Sequence, residues 1–108
     1  MKTFKLDKMK MGWFIGDFEP SVVRTRGFEV GYTTHKKDEY RDPHYHREAV
    51  EITLVISGEL LLNEQLFVAG DIFIIDPYEV AAPSFLTDVE VVVIKVPSVP
   101  GDKYLVEK

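Results

Sequence analysis

Short apolar runs recur along this chain, each closed by Gly, Pro, Asn or Asp, and no stretch keeps a helical period over three turns. Phe28 to His35 alternates, with Phe28, Val30, Tyr32 and Thr34 on one face and Gly31, Thr33 and His35 on the other. Glu51 to Ile56 sets Glu51, Thr53 and Val55 against Ile52, Leu54 and Ile56, so both of its faces should be covered. Leu60-Leu61-Leu62 and Gln65 to Val68 flank Asn63-Glu64, a two-residue hairpin turn. Ile72 to Ile75 stops at Asp76-Pro77, Val80 to Phe85 is interrupted by Pro83, and Val89 to Val96 is the strongest β signal, rich in β-branched residues. A short edge strand is expected over Thr3 to Leu6. Many short strands separated by turn residues predict an all-β antiparallel sandwich or barrel. Residues 1–27 read as an N-terminal arm with edge strands, in which Trp13 and Phe14 serve core or subunit-interface packing. Residues 28–97 read as the barrel, and 98–108 as a C-terminal tail whose Tyr104, Leu105 and Val106 fold back or pack on a partner.

At 108 residues the chain is expected to form one domain that buries a core without disulfides or a structural metal. It has no cysteine, which excludes disulfides, a thiolate zinc site and a cysteine nucleophile, and agrees with a reducing cytoplasm. Residues 1–8 lack the apolar centre of a signal peptide, and no apolar run reaches the roughly 18 residues that span a membrane. The expectation is a soluble cytoplasmic protein with no membrane partner. The net charge is −5, with basic residues scattered among acids, so no nucleic-acid partner is expected.

Chemistry concentrates in residues 42–58, which hold two of the three histidines beside a carboxylate. In an extended strand His44 and His46 lie on one face, roughly 7 Å apart at the backbone, and suit convergence on one ion or substrate. Glu51 follows after a gap long enough for a tight turn that brings its carboxylate back toward the imidazoles. Two imidazoles and a carboxylate are ligands of the kind favoured by Fe(II), Mn, Ni, Zn or Co. His35, alone after a strand, reads as a surface or polar-packed histidine.

His44-x-His46, four residues, Glu51, six residues, then Gly58 resembles the first signature motif of the cupins, and Gly70-Asp71-x-x-Ile74-x-Asp76-Pro77 resembles the second. The two cover roughly the central half of the chain. The resemblance implies an RmlC-like double-stranded β-helix, or jelly-roll barrel, with His44, His46 and Glu51 directed inward and commonly holding a divalent metal. Two positions depart from the pattern. Asp38 stands where the first motif usually begins with glycine, and the histidine that completes the family's metal site is missing, with Ala81 at the aligned position. A metal would then rest on three protein ligands, or recruit His35, Glu79 or Asp76.

The leading expectation is a lumen that binds a small polar ligand, with a divalent metal on His44, His46 and Glu51, as in an isomerase or oxygenase. Thr53, Tyr78, Glu79 and Arg41 are candidate substrate contacts. A looser similarity to cupin-like ketoisomerases of deoxysugar nucleotides implies the alternative that His44 and His46 act without metal as catalytic acid and base, with Arg41 or Arg47 meeting a phosphate. The ligand would then be a sugar or sugar nucleotide. The third reading is a non-catalytic ligand-binding barrel. Apolar residues beyond the needs of one small core predict a homodimer.

Overall fold

The computed structural model describes residues 1–106 and is almost wholly β. The strands are β1 (Trp13–Gly16), β2 (Val23–Arg24), β3 (Glu29–His35), β4 (His44–Tyr45), β5 (Val50–Ser57), β6 (Glu59–Leu62), β7 (Gln65–Val68), β8 (Ile72–Ile75), β9 (Pro83–Phe85), β10 (Val89–Val96) and β11 (Tyr104–Leu105). They form a six-stranded sheet in the order β2-β1-β3-β10-β5-β8, a three-stranded sheet β7-β6-β9 and a two-stranded sheet β11-β4. A bridge between His44 and Ala81 links β4 to the approach of β9. The core lies between these walls: Val55, Ile75, Val89, Val91 and Val93 from the larger sheet meet Leu60, Leu62, Ala81 and Phe85.

Local signals placed most strands where the alternation predicts them. Asn63 and Glu64 turn the β6–β7 hairpin with φ of 50° and 70°, the mirror-image turn that matches strand twist. One expectation fails at the N-terminus. Thr3 to Leu6 form no strand; a 3-10 turn at Leu6–Lys8 stands in their place and buries none of its residues.

Alternation in β3 defined two faces, and tertiary pairing chose the more polar one for the interior. On the β3–β10–β5 ladder, Glu29, Lys95 and Glu51 lie in one row and Gly31, Val93 and Thr53 in the next. Glycine is needed at 31 because a Cβ there would stand 2.7 Å from the Trp13 ring, which lies over it inside the barrel. The opposite face carries Val30, Ile52, Leu54, Val92 and Ile94, with Ile72 and Ile74 65% and 57% exposed. Residues 98–106, expected as a tail, pair β11 antiparallel with β4 and so wall the barrel beside the histidines. Among the described residues no helix is long and apolar enough to cross a membrane.

Candidate functional site

A cavity of about 830 Å³ runs through the barrel, and His44, His46, Glu51, Thr53, Lys95 and Arg41 are among its lining residues. His46 is its buried focus, 2% exposed. Its backbone is fixed by the Tyr78 N–H, which donates to the His46 carbonyl at 2.7 Å. Its ring is fixed by Asp102, whose main-chain carbonyl accepts from Nδ1. The Asp102 carboxylate accepts the N–H groups of Arg47, Glu48 and Ala49 at 2.9, 3.1 and 2.9 Å, closing the turn that carries the chain from His46 into β5. Burial alone would raise the Asp102 carboxyl; the N–H donors of Arg47, Ala49 and Glu48 hold it below its ordinary value.

With Nδ1–H committed to a carbonyl, neutral His46 presents a lone pair at Nε2. That nitrogen is buried, has no hydrogen-bond partner among the described residues, and stands 3.5 Å from Glu51 Oε1. Two acceptors facing each other in a buried site repel unless a proton or cation lies between them. Glu51 accordingly raises the His46 pKa, against the opposing effect of burial. Burial would raise Glu51 in turn, but His46 and the Lys95 ammonium hold it below the usual carboxylate range.

His44 reaches the same cavity in a different state. Its ring is edge-on to His46, with centroids 5.5 Å apart and planes at 77°, and its Nδ1 lies 3.1 Å from the Asp42 carbonyl. Burial lowers its pKa, opposed by that carbonyl. Ala81 exchanges main-chain hydrogen bonds with His44 and is 4% exposed, so it contributes packing and no ligand atom. Among the described residues no three His, Cys, Asp or Glu side chains are gathered to hold a metal ion. The expected His44, His46 and Glu51 all line the one cavity, His46 paired with Glu51 at 3.5 Å and His44 edge-on to His46. A metal on these three would have to draw them together, since they are not gathered as a ligand set among the described residues.

The remaining candidates divide. Thr53 is buried in the wall and Arg41 lines the cavity. Tyr78 and Glu79 do not line it: Tyr78 is 66% exposed and stacks against Tyr45, and Glu79 accepts the Asp76 N–H at 3.1 Å to close its own turn. Their predicted role as lumen contacts is corrected on that ground, and exposed Asp76 and Glu79 are likewise removed as substitute ligands. Arg47 is also exposed, its guanidinium 3.9 Å from the Tyr104 ring centroid. Lys95 and Asp102 were missed. The signal for Lys95 was its charge, one of two with Glu90 in the β-branched run; Asp102 carried none.

His35 is polar-packed, as expected. It stacks on Phe85 at 4.4 Å, and its Nδ1 lies 2.7 Å from Glu39 Oε2, an oxygen that also accepts from Arg41 Nε at 2.9 Å. The His35 hydrogen bond, with help from the Lys36 N–H and Arg41, lowers the Glu39 pKa from 4.5 to about 2. A depressed carboxylate contributes stability that is full above its unfolded value and lost as pH falls through the folded one. Melting temperature should therefore fall between pH 4.5 and 2 in the native chain, and this limb should be shallower in Glu39→Gln, as thermal denaturation across that range will show.

No protein-family model and no curated protein matches the chain. Solved structures do. A protein with a double-stranded β-helix domain from Klebsiella pneumoniae is 23% identical with a TM-score of 0.71, covering 99% of this chain and 93% of its own. An RmlC-like cupin from Shewanella frigidimarina is 19% identical, TM-score 0.64, covering 70% of this chain and 71% of its own. The bacterial pirin YhhW from Escherichia coli, in complex with nickel(II), is 17% identical, TM-score 0.65, covering 82% of this chain and 39% of its own.

Proposed function

The chain has the cupin fold, and on that fold we propose that the lumen binds a small polar carbonyl compound, such as a keto sugar, and moves a proton on it through His46 and Glu51. The observation that carries this reading is the unpartnered Nε2 of His46, buried and 3.5 Å from Glu51. Nε2 takes the proton from the carbon next to the carbonyl. The resulting imidazolium is stabilised by Glu51 on one side and the Asp102 carbonyl on the other, and the proton is then returned. Thr53 and Arg41 line the cavity as ligand contacts, and His44, kept neutral by burial, is the second imidazole within reach.

The test is exchange in D2O, followed by proton NMR, with pyruvate, dihydroxyacetone and fructose 6-phosphate as probes. Deuterium should enter beside the carbonyl of at least one probe in the presence of chelator. His46→Ala and Glu51→Gln should each slow exchange about 100-fold or more, the usual contribution of a positioned acid or base. Exchange absent with all three, or indifferent to both substitutions, would overturn the reading.

The same lone pair favours a second reading, in which a divalent metal binds His46 and Glu51 and gathers His44. A metal there would supply Lewis-acid polarisation of the carbonyl. Activity abolished by chelator and restored by nickel, iron, manganese, zinc or cobalt would select it. We propose in addition that the apolar outer face around Ile52, Leu54, Ile72 and Ile74 pairs two copies as a homodimer. Sedimentation at micromolar concentration should give a dimer that Ile74→Glu dissociates; a monomeric native chain would refute this.

A further inference from the structure

Lys95 is a charged residue of the lumen that no motif claims. It stands on the inner face of β10, directly opposite Glu29 on β3 and Glu51 on β5. Its side chain is 19% exposed and lines the same cavity as His46 and Glu51. Two contacts define its position. Glu29 Oε1 is 3.8 Å from Nζ, close enough for an ion pair and too far for a hydrogen bond. The other Glu29 oxygen accepts from Ser98 Oγ at 2.8 Å, and that Oγ accepts the Asp17 N–H at 2.9 Å, so Glu29 is anchored from behind. The Trp13 ring flanks the ammonium with its centroid 5.0 Å from Nζ. An ion pair at that distance and an aromatic face hold the charge without consuming N–H donors directionally.

We propose that Lys95 is the oxyanion-binding residue of the lumen, donating from Nζ to a carboxylate or enolate oxygen of a small organic ligand whose carbon lies against His46. This rests on the proton-transfer reading and gives that site its ligand class. When Nε2 removes the proton, the C–H bond breaks, its electron pair forms the C–C double bond of the enolate, and the carbonyl π pair moves onto oxygen. Negative charge thus develops on that oxygen, and an ammonium already fixed by Glu29 and Trp13 stabilises it without reorganising. The reverse step returns the proton to carbon, so no other reactant is needed. Arg41 and Lys103, which also line the cavity, add positive charge along its wall.

Trp13 is the only tryptophan, so its fluorescence reports on this position. Oxalate, a planar mimic of an enolate carboxylate, and glycerol, a neutral control, are the probes, added with and without chelator. Oxalate should change the Trp13 emission saturably in both conditions, and glycerol should not. Lys95→Met should weaken oxalate at least 10-fold, and Lys95→Arg should keep part of the affinity. The double variant Lys95→Gln with Glu29→Gln removes the Glu29 carboxylate together with its partner and should lose oxalate equally, provided its thermal melt remains cooperative. Native binding indifferent to Lys95→Met and to the double variant, a failure of oxalate to bind at all, or binding abolished by chelator would overturn the assignment. Lys95-dependent oxalate binding with no deuterium exchange would instead remove the proton-transfer reading and leave the oxyanion site standing.

Discussion

Replacing Asp102 by alanine is expected to destabilise the protein by about 3–5 kcal/mol, the order reached when a buried carboxylate and several main-chain donors lose one another. Asp102 is 6% exposed and accepts the N–H groups of three consecutive residues, Arg47 to Ala49. Among the described residues no other group is bonded to those donors, so removal leaves all three without this acceptor and strands the buried Ala49 N–H in particular. Asp102→Asn keeps one acceptor oxygen and should fall between alanine and the native residue. Urea denaturation at neutral pH measures both. The effect should depend on pH in a defined direction. The folded carboxyl lies below its ordinary value, so its contribution is full above that value and lost as pH falls through the folded pKa. The gap between native chain and Asp102→Asn should therefore narrow in acid. If urea midpoints coincide at neutral pH, the turn is held by something other than this carboxylate.

The second large effect is expected at Gly58, which closes the first motif. Its φ is +90°, in the left-handed region, and a Cβ built there would stand 2.1 Å from the Asp88 carbonyl oxygen. Gly58→Ala thus combines a left-handed backbone cost of about 1–2 kcal/mol with main-chain overpacking of about 1–3 kcal/mol. Relief would need the β9–β10 connection to move away from the start of β6. Thermal and urea unfolding of Gly58→Ala should show a loss of about 2–5 kcal/mol. Gly70→Ala offers the contrast: its φ is +91°, yet nothing lies within 4 Å of its Cβ position, so only the backbone cost applies. Equal losses at the two positions would mean that steric contact with Asp88 is unimportant.

Gly58 was legible in the sequence and Asp102 was not, and the difference is physical. A glycine after an alternating apolar run marks a turn through its own backbone freedom. Asp102 acts on residues more than fifty positions away, through main-chain donors that look alike in every sequence. The same division separates the histidines. The two-residue spacing put His44 and His46 into one cavity, but the edge-on placement of their rings depends on two carbonyls, one from Asp42 and one from Asp102. Tyr78 and Glu79 were misplaced because a turn's position along the chain does not tell which way it projects.

Alternation alone determined that this chain is built from short strands, because the period of two is a local property of extended backbone; their pairing, antiparallel except for β1 with β2, was decided by the tertiary structure. The resemblance to the cupin motifs implied the jelly-roll barrel and the inward histidines. Only the tertiary structure decided which face of β3 lines the lumen, since that depends on Trp13 covering Gly31 and on Lys95 standing between Glu29 and Glu51. Cross-strand register joins residues distant in sequence, and it is register that turned a histidine motif into a buried His46–Glu51 pair beside a lysine.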